Sequence, residues 1–198
     1  MQLSRLLPIV GNAVFVQASQ PFTVIGEAGV PPATPLLRQV ILVAKHHDTG
    51  IAIANPGAST STITFELLDA NGVTIAPAVN RTLAGMNHTA LFVSQLFPSL
   101  PLPFKGVLRI SSPSLISMTG LRAHYNQRSP VDFLITTTPP TLESAPSATS
   151  EMLFPHLVDG DGYITQFILF SGTAGQTSAG TLRFFTTGGQ TLSLSLNN

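Results

Sequence analysis

The central part of the chain alternates between apolar and polar residues with the period of two that predicts β-strands. From Ile63 to Leu67 every second residue is large and apolar, as expected for a strand with one buried face. Asn71-Gly72 follows, the dipeptide most typical of a β-hairpin, and Val73 and Ile75 begin the predicted return strand. The pattern therefore predicts an antiparallel hairpin in the middle of the sequence.

Further strands are predicted on both sides of this hairpin, with one interruption. The strand segments are "TGIAIANPG" (49–57), "KGVLRIS" (105–111), "LISMTGLRAHY" (115–125) and "VDFLITT" (131–137). In residues 88–98 apolar residues recur four apart, as at Phe92 and Leu96, with Thr89 as a candidate cap and Pro98 as a stop. This spacing predicts one short helix. Roughly eight strands and one helical turn have the size of an immunoglobulin-like β-sandwich, so the expected fold class is all-β.

The C-terminal part of the chain repeats the central hairpin. Residues 67–75, "LLDANGVTI", align without a gap with residues 184–192, "FFTTGGQTL", at an offset of 117. The turn glycines Gly72 and Gly189 coincide, and Ile51 corresponds to Ile168 at the same offset. Because self-similarity at a fixed offset indicates repeated structural units, residues 152–198 are predicted to be the N-terminal half of a second sandwich.

The N-terminal part repeats the other end of the central unit. Residues 17–32, "QASQPFTVIGEAGVPP", align with residues 125–140, "YNQRSPVDFLITTTPP", at an offset of 108, and both end in Pro-Pro. The identity is lower than in the first match. Residues 1–32 are therefore predicted to be the last strands of a sandwich.

The predicted organisation is a split sandwich around a complete one. Residues 1–32 form a donor segment, 33–140 a complete β-sandwich, 141–151 a linker and 152–198 an acceptor half. An unfinished sandwich exposes an apolar face and unpaired backbone groups, which invite pairing with another strand. The two halves can join between neighbouring chains by β-augmentation or within one chain. The third alternative is that the sequence is a fragment of a longer tandem array.

Several segments resemble repeats of large secreted or surface bacterial proteins. They are "DTGIAIANPG" (48–57), "FELLDANG" (65–72), "HTALFVSQLFP" (88–98) and "FPHLVDGDGYITQFILF" (154–170). Those proteins consist of tandem immunoglobulin- or fibronectin-III-like β-sandwiches, so the resemblance implies that fold and an extracellular location, with no catalytic residues. In such arrays "FPH" opens a domain and "EAGVP" closes one. Here "EAGVP" (27–31) comes first and "FPH" (154–156) last, which fits complementation or a truncated array.

Composition narrows the range of functions. The formal net charge is zero, so no long-range attraction for nucleic acid or an anionic membrane is expected. Charged residues make up 9% of the chain, against about 25% in an average domain, which favours a surface that is rich in Ser, Thr and Asn, coated by glycans, or buried against other copies. The absence of cysteine excludes disulfides and thiolate metal sites.

Two polar motifs are candidate metal sites. His46, His47 and Asp48 lie in sequence, but adjacent residues on a strand point to opposite faces, so a polar loop is preferred. Residues 159–163, "DGDGY", begin like a calcium loop but lack the ligand and glycine that an EF-hand needs at its fifth and sixth positions. A glycine-rich turn is preferred there, so no metal or other cofactor is expected.

Other chemistry-bearing motifs are few. Asn80 and Asn87 begin N-x-Thr sequons and are possible glycosylation sites. No G-x-S-x-G, P-loop or dinucleotide motif occurs, and an enzyme is not expected.

The sequence thus predicts a structural subunit of an extracellular filament or surface fibre, polymerising head-to-tail by β-strand complementation. Its partner would be another copy of itself, with glycans as a further possibility and no membrane span. The alternative is an adhesive or carbohydrate-binding module cut from a larger secreted protein. The residues predicted on the inter-subunit strands are Val14, Val16, Phe22, Val24, Phe184, Leu192, Leu194 and Leu196.

Overall fold

The computed structural model describes residues 13–19, 23–43, 48–100, 103–125, 133–143, 152–170 and 179–194. These residues form an all-β structure with a single helical turn, which confirms the predicted class. The strands are β1 (Ala13–Ser19), β2 (Thr23–Val30), β3 (Leu36–Val43), β4 (Asp48–Asn55), β5 (Ser61–Asp69), β6 (Val79–Leu83), β7 (Asn87–Phe92), β8 (Gly106–Tyr125), β9 (Phe133–Thr138), β10 (Thr141–Leu142), β11 (Phe184–Phe185) and β12 (Thr191–Leu192); the helix is α1 (Val93–Leu96). Within the described ranges, no helix is long and apolar enough to cross a membrane.

The central unit consists of two antiparallel sheets that share one strand. One sheet has the order β6-β5-β8-β3-β10 and the other the order β7-β4-β8-β9. β8 pairs with β3 and β5 through its first part and with β4 and β9 through its second. The two sheets are therefore joined covalently through the middle of a single strand.

The change of sheet occurs around Pro113, in an exposed stretch of β8. Proline lacks a backbone N–H, so it fits a strand only where the ladder needs no donor. Three serines hold this bend: the Ser61 hydroxyl lies 2.7 Å from those of both Ser112 and Ser114. β8 was predicted as two strands, because Pro113 and its serines look like a break in the sequence.

The hydrophobic core lies between the two sheets. Ile63, Phe65 and Leu67 of β5 are fully buried, which confirms the predicted alternation along this strand. Both sheets and α1 contribute to the core, whose other members are Ile41, Val43, Ile51, Ile53, Leu83, Val93, Leu96, Phe97, Leu108, Ile110, Ile116 and Met118. This shared core is what holds the central unit together.

The predicted helix over residues 88–98 is wrong in its first half. Residues Asn87–Phe92 form strand β7, paired with β4, and Thr89 lies in that ladder opposite Ile53 instead of capping a helix. Only the turn Val93–Leu96 is helical, with the Gln95 side chain accepting the Phe92 N–H. The four-residue spacing of the apolar residues reflects this single turn, while pairing with β4 sets the conformation before it.

Two other boundaries differ from the sequence-based expectations. β10 pairs with β3, Thr141 opposite Val40 and Leu142 opposite Gln39, so the first residues of the predicted linker belong to the sheet. The predicted return strand at Val73 and Ile75 is reduced to a bridge at Thr74 and a hydrogen bond from Ile75 to Leu67, and β5 pairs instead with β6.

Candidate interaction surfaces

The central hairpin turn owes its shape to Asp69 and Gly72. The Gly72 N–H donates to the Asp69 carbonyl at 3.1 Å, and Asp69 N–H donates to the Val73 carbonyl at 2.8 Å. The Asp69 carboxylate accepts the Val73 N–H at 2.8 Å. Gly72 has φ +81°, the left-handed conformation that glycine adopts without strain. This is a three-residue hairpin loop, a type I turn followed by a glycine bulge.

The C-terminal hairpin repeats three hydrogen bonds of this turn at the offset of 117. Gly189 N–H donates to the Thr186 carbonyl at 2.9 Å, and Thr186 N–H donates to the Gln190 carbonyl at 2.8 Å. The Thr186 hydroxyl takes the place of the Asp69 carboxylate and accepts the Gln190 N–H at 3.2 Å. Gly189 has φ +78°. Phe184 pairs with Leu192 and Phe185 with Thr191, as the alignment with the central hairpin requires.

The surroundings of the two hairpins differ. Leu68 is 4% exposed, whereas its counterpart Phe185 is 56% exposed. Ile51 is fully buried in the central core, whereas its counterpart Ile168 is 38% exposed. Phe184 is buried, and its ring lies 5.8 Å from that of Phe167. The C-terminal segment therefore has the turn of the central unit without a comparable core around it.

The C-terminal segment presents a large apolar surface. Its exposed large apolar side chains are Met152, Leu153, Phe154, Val158, Tyr163, Ile164, Ile168, Leu169, Phe185 and Leu194. We call this set the C-terminal apolar surface. Single exposed apolar residues are common on soluble proteins, but ten of them in one short segment favour an interaction site. Of the predicted acceptor residues, Phe184 is buried, Leu192 half-buried and Leu194 exposed, while Leu196 lies outside the described residues.

The N-terminal hairpin β1–β2 reproduces the register of β8–β9. Ala13 pairs with Val30 in the hairpin, and Gly120 pairs with Thr138 in the central sheet. Ala13 of β1 thus corresponds to Gly120 of β8 at an offset of 107, and Val30 of β2 corresponds to Thr138 of β9 at an offset of 108. A bulge between Gln17 and Ala18 absorbs the difference. The low-identity match between residues 17–32 and 125–140 thus has a structural counterpart.

The N-terminal hairpin lies beside the central unit. β2 contacts β9, and the Thr137 hydroxyl donates to the Gly29 carbonyl. Val14 is 63% exposed and Val16 is 47% exposed. In the described part of the chain β1 forms a ladder with β2 only, so its other edge carries no ladder. Val24 lies in β2, and Phe22 is outside the described residues.

An ion cluster on the outer face of the five-stranded sheet holds Glu143, the residue that follows β10 at the C-terminal end of the central unit, against the sheet. Arg109 of β8 donates to Glu143 through Nε and Nη2, at 2.7 and 2.6 Å. Arg38 of β3 donates to the same carboxylate at 2.5 Å, and Glu66 of β5 lies 3.7 Å from Arg109 Nη1. The Glu143 side chain is 7% exposed. Two strands, β3 and β8, thus hold the residue that follows β10, and β5 joins the cluster through Glu66.

The cluster keeps Glu143 ionised. Burial by itself raises the pKa of the Glu143 carboxyl, but the hydrogen bonds and charges of Arg109 and Arg38 outweigh it and bring the pKa below its ordinary 4.5. The hydrogen bond to Glu143 in turn raises the pKa of the Arg109 guanidinium. Sequence reasoning missed this cluster, because Glu143 follows a proline-rich stretch and is 105 residues from Arg38.

The polar motifs do not converge on a metal site within the described ranges. Asp48 begins β4, and His46 and His47 lie outside the described residues. Burial raises the pKa of the Asp48 carboxyl, opposed by a hydrogen bond from the Ser94 hydroxyl at 3.2 Å. No group of three potential metal-ligating side chains occurs among the residues that were placed.

The glycine-rich motif is a tight exposed turn. Gly160 and Tyr163 exchange backbone hydrogen bonds of 3.1 and 2.8 Å, and Gly160, Asp161 and Gly162 all have positive φ. Positive φ favours glycine, so the backbone geometry accounts for Gly160 and Gly162. Asp159 and Asp161 are both exposed in this turn.

Both sequon asparagines are exposed and lie on strands at sheet edges. Asn80 is in β6, the edge of the five-stranded sheet, and its amide oxygen accepts the Thr64 hydroxyl at 2.8 Å. Asn87 begins β7, the edge of the other sheet. Both asparagines are therefore accessible, and glycosylation at Asn80 and Asn87 stays a prediction.

Comparisons with known proteins give little information. No family model and no curated protein match the chain. One solved structure that it resembles, titled "Crystal Structure of Thermotoga maritima 1070", has 13% sequence identity and a TM-score of 0.44, covering 52% of this chain and 91% of that one.

Proposed function

We propose that this protein is a structural subunit of an extracellular filament or surface fibre, in which copies join head-to-tail by β-strand complementation. The observation that carries the proposal is the C-terminal segment, whose hairpin has the turn of the central unit while some residues that correspond to buried positions of that unit are exposed. Phe185 and Ile168 correspond to buried residues of the central unit and are themselves exposed. Their burial against strands of another copy would supply the missing core.

The N-terminal hairpin supports the same proposal from the donor side. Its register matches that of β8–β9, and β1 carries two exposed valines, Val14 and Val16, at an edge that has no ladder within the described ranges. A free edge of this kind is the usual site of β-augmentation. Because donor and acceptor are different surfaces, the contact is heterologous and produces open filaments unless the rotation closes a ring.

Assembly is tested with a matched pair of variants. Val14 on β1 is 63% exposed, and Val73 in the central turn is 58% exposed. Val14→Asp places a charge at the proposed contact, whereas Val73→Asp places the same charge on an equally exposed surface outside it. We expect concentration-dependent assembly of the wild-type chain, measured by light scattering and electron microscopy, to persist in Val73→Asp and to be lost in Val14→Asp.

A deletion gives a second test. Removing residues 1–28 leaves Gly29, the acceptor of the Thr137 hydroxyl, and should abolish assembly and leave the C-terminal segment sensitive to protease. A wild-type chain that stays monodisperse and monomeric at every concentration would refute the filament.

The second candidate function is an adhesive or carbohydrate-binding module of a larger secreted protein. The exposed rings of Tyr163 and Phe185 favour it, since exposed apolar patches also form ligand-binding grooves. Glycan-array binding by a chain that does not assemble, reduced by Tyr163→Ala, would support this function over the filament.

A further inference from the structure

The register of the contact between copies follows from the ladders inside the central unit. β8 lies between β9 and β4 in the four-stranded sheet. The N-terminal hairpin contains the counterparts of β8 and β9, since β1 pairs with β2 as β8 pairs with β9. The counterpart of β4 at the offset of 117 begins at Thr165, because β4 begins at Asp48. Residues 165–170 form no ladder with any other residue that the structure describes.

We propose that β1 of one copy pairs antiparallel with residues 165–168 of a second copy, with Ala13 directly opposite Ile168 and Val16 opposite Thr165. This inference rests on the proposed function and states which residues face each other in the contact between two copies. In the central sheet Ile51 is opposite Gly120 and Gly50 is opposite Leu121. We transfer both pairs to the two chain ends, using the offset of 107 from β8 to β1 and the offset of 117 from β4 to the C-terminal segment. Ala13 then lies opposite Ile168, and Val14 lies opposite Phe167.

The sizes of the paired residues fit this register. The fully buried Ile51 faces a glycine in the central sheet, and its counterpart Ile168 would face the small Ala13. Ile168 is 38% exposed in the single chain. Pairing would give the free edge of β1 the backbone hydrogen bonds that a strand edge otherwise leaves to water.

The surface available is large enough for a stable contact. The C-terminal apolar surface comprises ten large side chains. At about 100 Å² each, roughly half of a buried aromatic side chain, they present roughly 1,000 Å². A stable interface buries about 800 Å² on each partner. In the described part of the single chain, β1 pairs with β2 and forms no ladder with residues 165–168, while β2 lies beside β9. A second copy is therefore the occupant that we infer.

Disulfide trapping tests the register, and the chain suits it because it has no native cysteine. Ala13→Cys and Ile168→Cys chains are prepared separately, mixed under oxidising conditions and separated on a non-reducing gel. Directly opposite residues lie within the roughly 4.4–6.8 Å between Cα atoms that a disulfide spans. We expect the mixture to give a cross-linked dimer in high yield, whereas each chain alone gives little.

The control is a pair displaced by two residues. Gln166 is exposed and lies on the same segment as Ile168. In the proposed register it is a diagonal neighbour of Ala13, about 7–8 Å away, so Ala13→Cys mixed with Gln166→Cys should cross-link at least tenfold more slowly. Equal or faster cross-linking of this control pair, in chains that assemble, would overturn the register while leaving the filament intact.

The double variant separates the remaining outcomes. Ala13→Cys/Ile168→Cys in one chain should give a ladder of covalent oligomers, and an internally closed monomer would show that the pairing is within one chain. Should these substitutions impair assembly, Val14→Cys with Phe167→Cys reports the same register. Assembly without cross-linking of either pair overturns the register, whereas the absence of both assembly and cross-linking overturns the proposed function as well.

Discussion

The central and C-terminal hairpins share the same turn geometry and differ in what surrounds them. Their loop hydrogen bonds agree within about half an ångström, and Gly72 and Gly189 have φ values of +81° and +78°. Yet Leu68 is 4% exposed and Phe185 is 56% exposed. The comparison shows that a turn forms from local chemistry, whereas burial of the flanking residues requires strands that come from elsewhere.

The largest expected difference between the two regions concerns their cores. Phe65 is fully buried, and Phe65→Ala should lower the free energy of unfolding by about 4 kcal/mol because it removes a large core side chain and leaves a cavity. Leu182, its counterpart at the offset of 117, is half-buried, so Leu182→Ala should cost less than about 1 kcal/mol in the unassembled chain. Urea denaturation followed by circular dichroism measures both losses in the free energy of unfolding. Equal losses for the two variants would contradict the conclusion that only the central unit has a packed core at this position.

The ion cluster distinguishes the central unit from the C-terminal segment. The Glu143 and Arg109 side chains are 7% and 13% exposed, so Glu143→Ala removes the close carboxylate partner of a largely buried guanidinium, leaves it only the 3.7 Å contact with Glu66, and should destabilise the central unit by about 3 kcal/mol. Glu27 on β2 is exposed, and Glu27→Ala should change stability by less than about 0.5 kcal/mol. Thermal unfolding of the two variants is the measurement, and a similar small effect of both would mean that the cluster contributes little.

The turn glycines test whether the two hairpins are coupled. An L-residue at positive φ costs roughly 1–2 kcal/mol, so Gly72→Ala should lower the stability of the central unit by about 1 kcal/mol. Gly189→Ala should leave that stability unchanged but speed hydrogen exchange at the Thr186 amide, which donates to Gln190. Gly188→Ala is the control, because the space for a Cβ there is ordinary. Accelerated exchange of the Thr186 amide in all three variants would contradict the conclusion that Gly189 alone shapes the C-terminal turn.

The smallest expected effect is the dependence on pH. Because the pKa of Glu143 is lowered by folding, the folded chain binds its proton less readily than the unfolded chain, and acid favours unfolding. The contribution of Glu143 should be complete above its ordinary pKa of 4.5 and be lost as pH falls through the lower pKa of the folded state.

Glu143→Gln should remove this dependence. Asp48, whose pKa is raised by burial, acts in the opposite sense, so the useful quantity is the difference between wild type and Glu143→Gln measured from pH 7 to pH 3. A difference that does not change with pH would show that the carboxylate is not specifically stabilised by folding.

The features that sequence reasoning predicted are those set by neighbouring residues. The alternation from Ile63 to Leu67 and the glycine turns depend on a few consecutive positions, and both are present in the structure. Even here the loop type needed the structure: Asn71-Gly72 is typical of a two-residue turn, whereas the hydrogen bonds from Asp69 define a three-residue one.

The features that sequence reasoning missed depend on contacts between distant residues. Pro113 looks like a strand break, yet β8 passes through it because its neighbours change from β3 and β5 to β4 and β9 at that point. Glu143 looks like part of a linker, yet Arg38 and Arg109 place it on the sheet. In the candidate interaction surfaces, Val14 is exposed, whereas Phe184 is already buried against neighbours in its own chain; the role of both residues in assembly stays a prediction.

The pairing of β10 with β3 has a mechanical consequence. The chain enters the central unit at Leu36 and leaves it after Glu143, and because the two strands are antiparallel, both points lie at the same end of their ladder. Tension along the chain would therefore peel β10 from β3 one bond at a time instead of shearing the ladder as a whole. The Arg38–Glu143–Arg109 cluster lies where peeling starts, so Glu143 is the first attachment that a pulling force has to break.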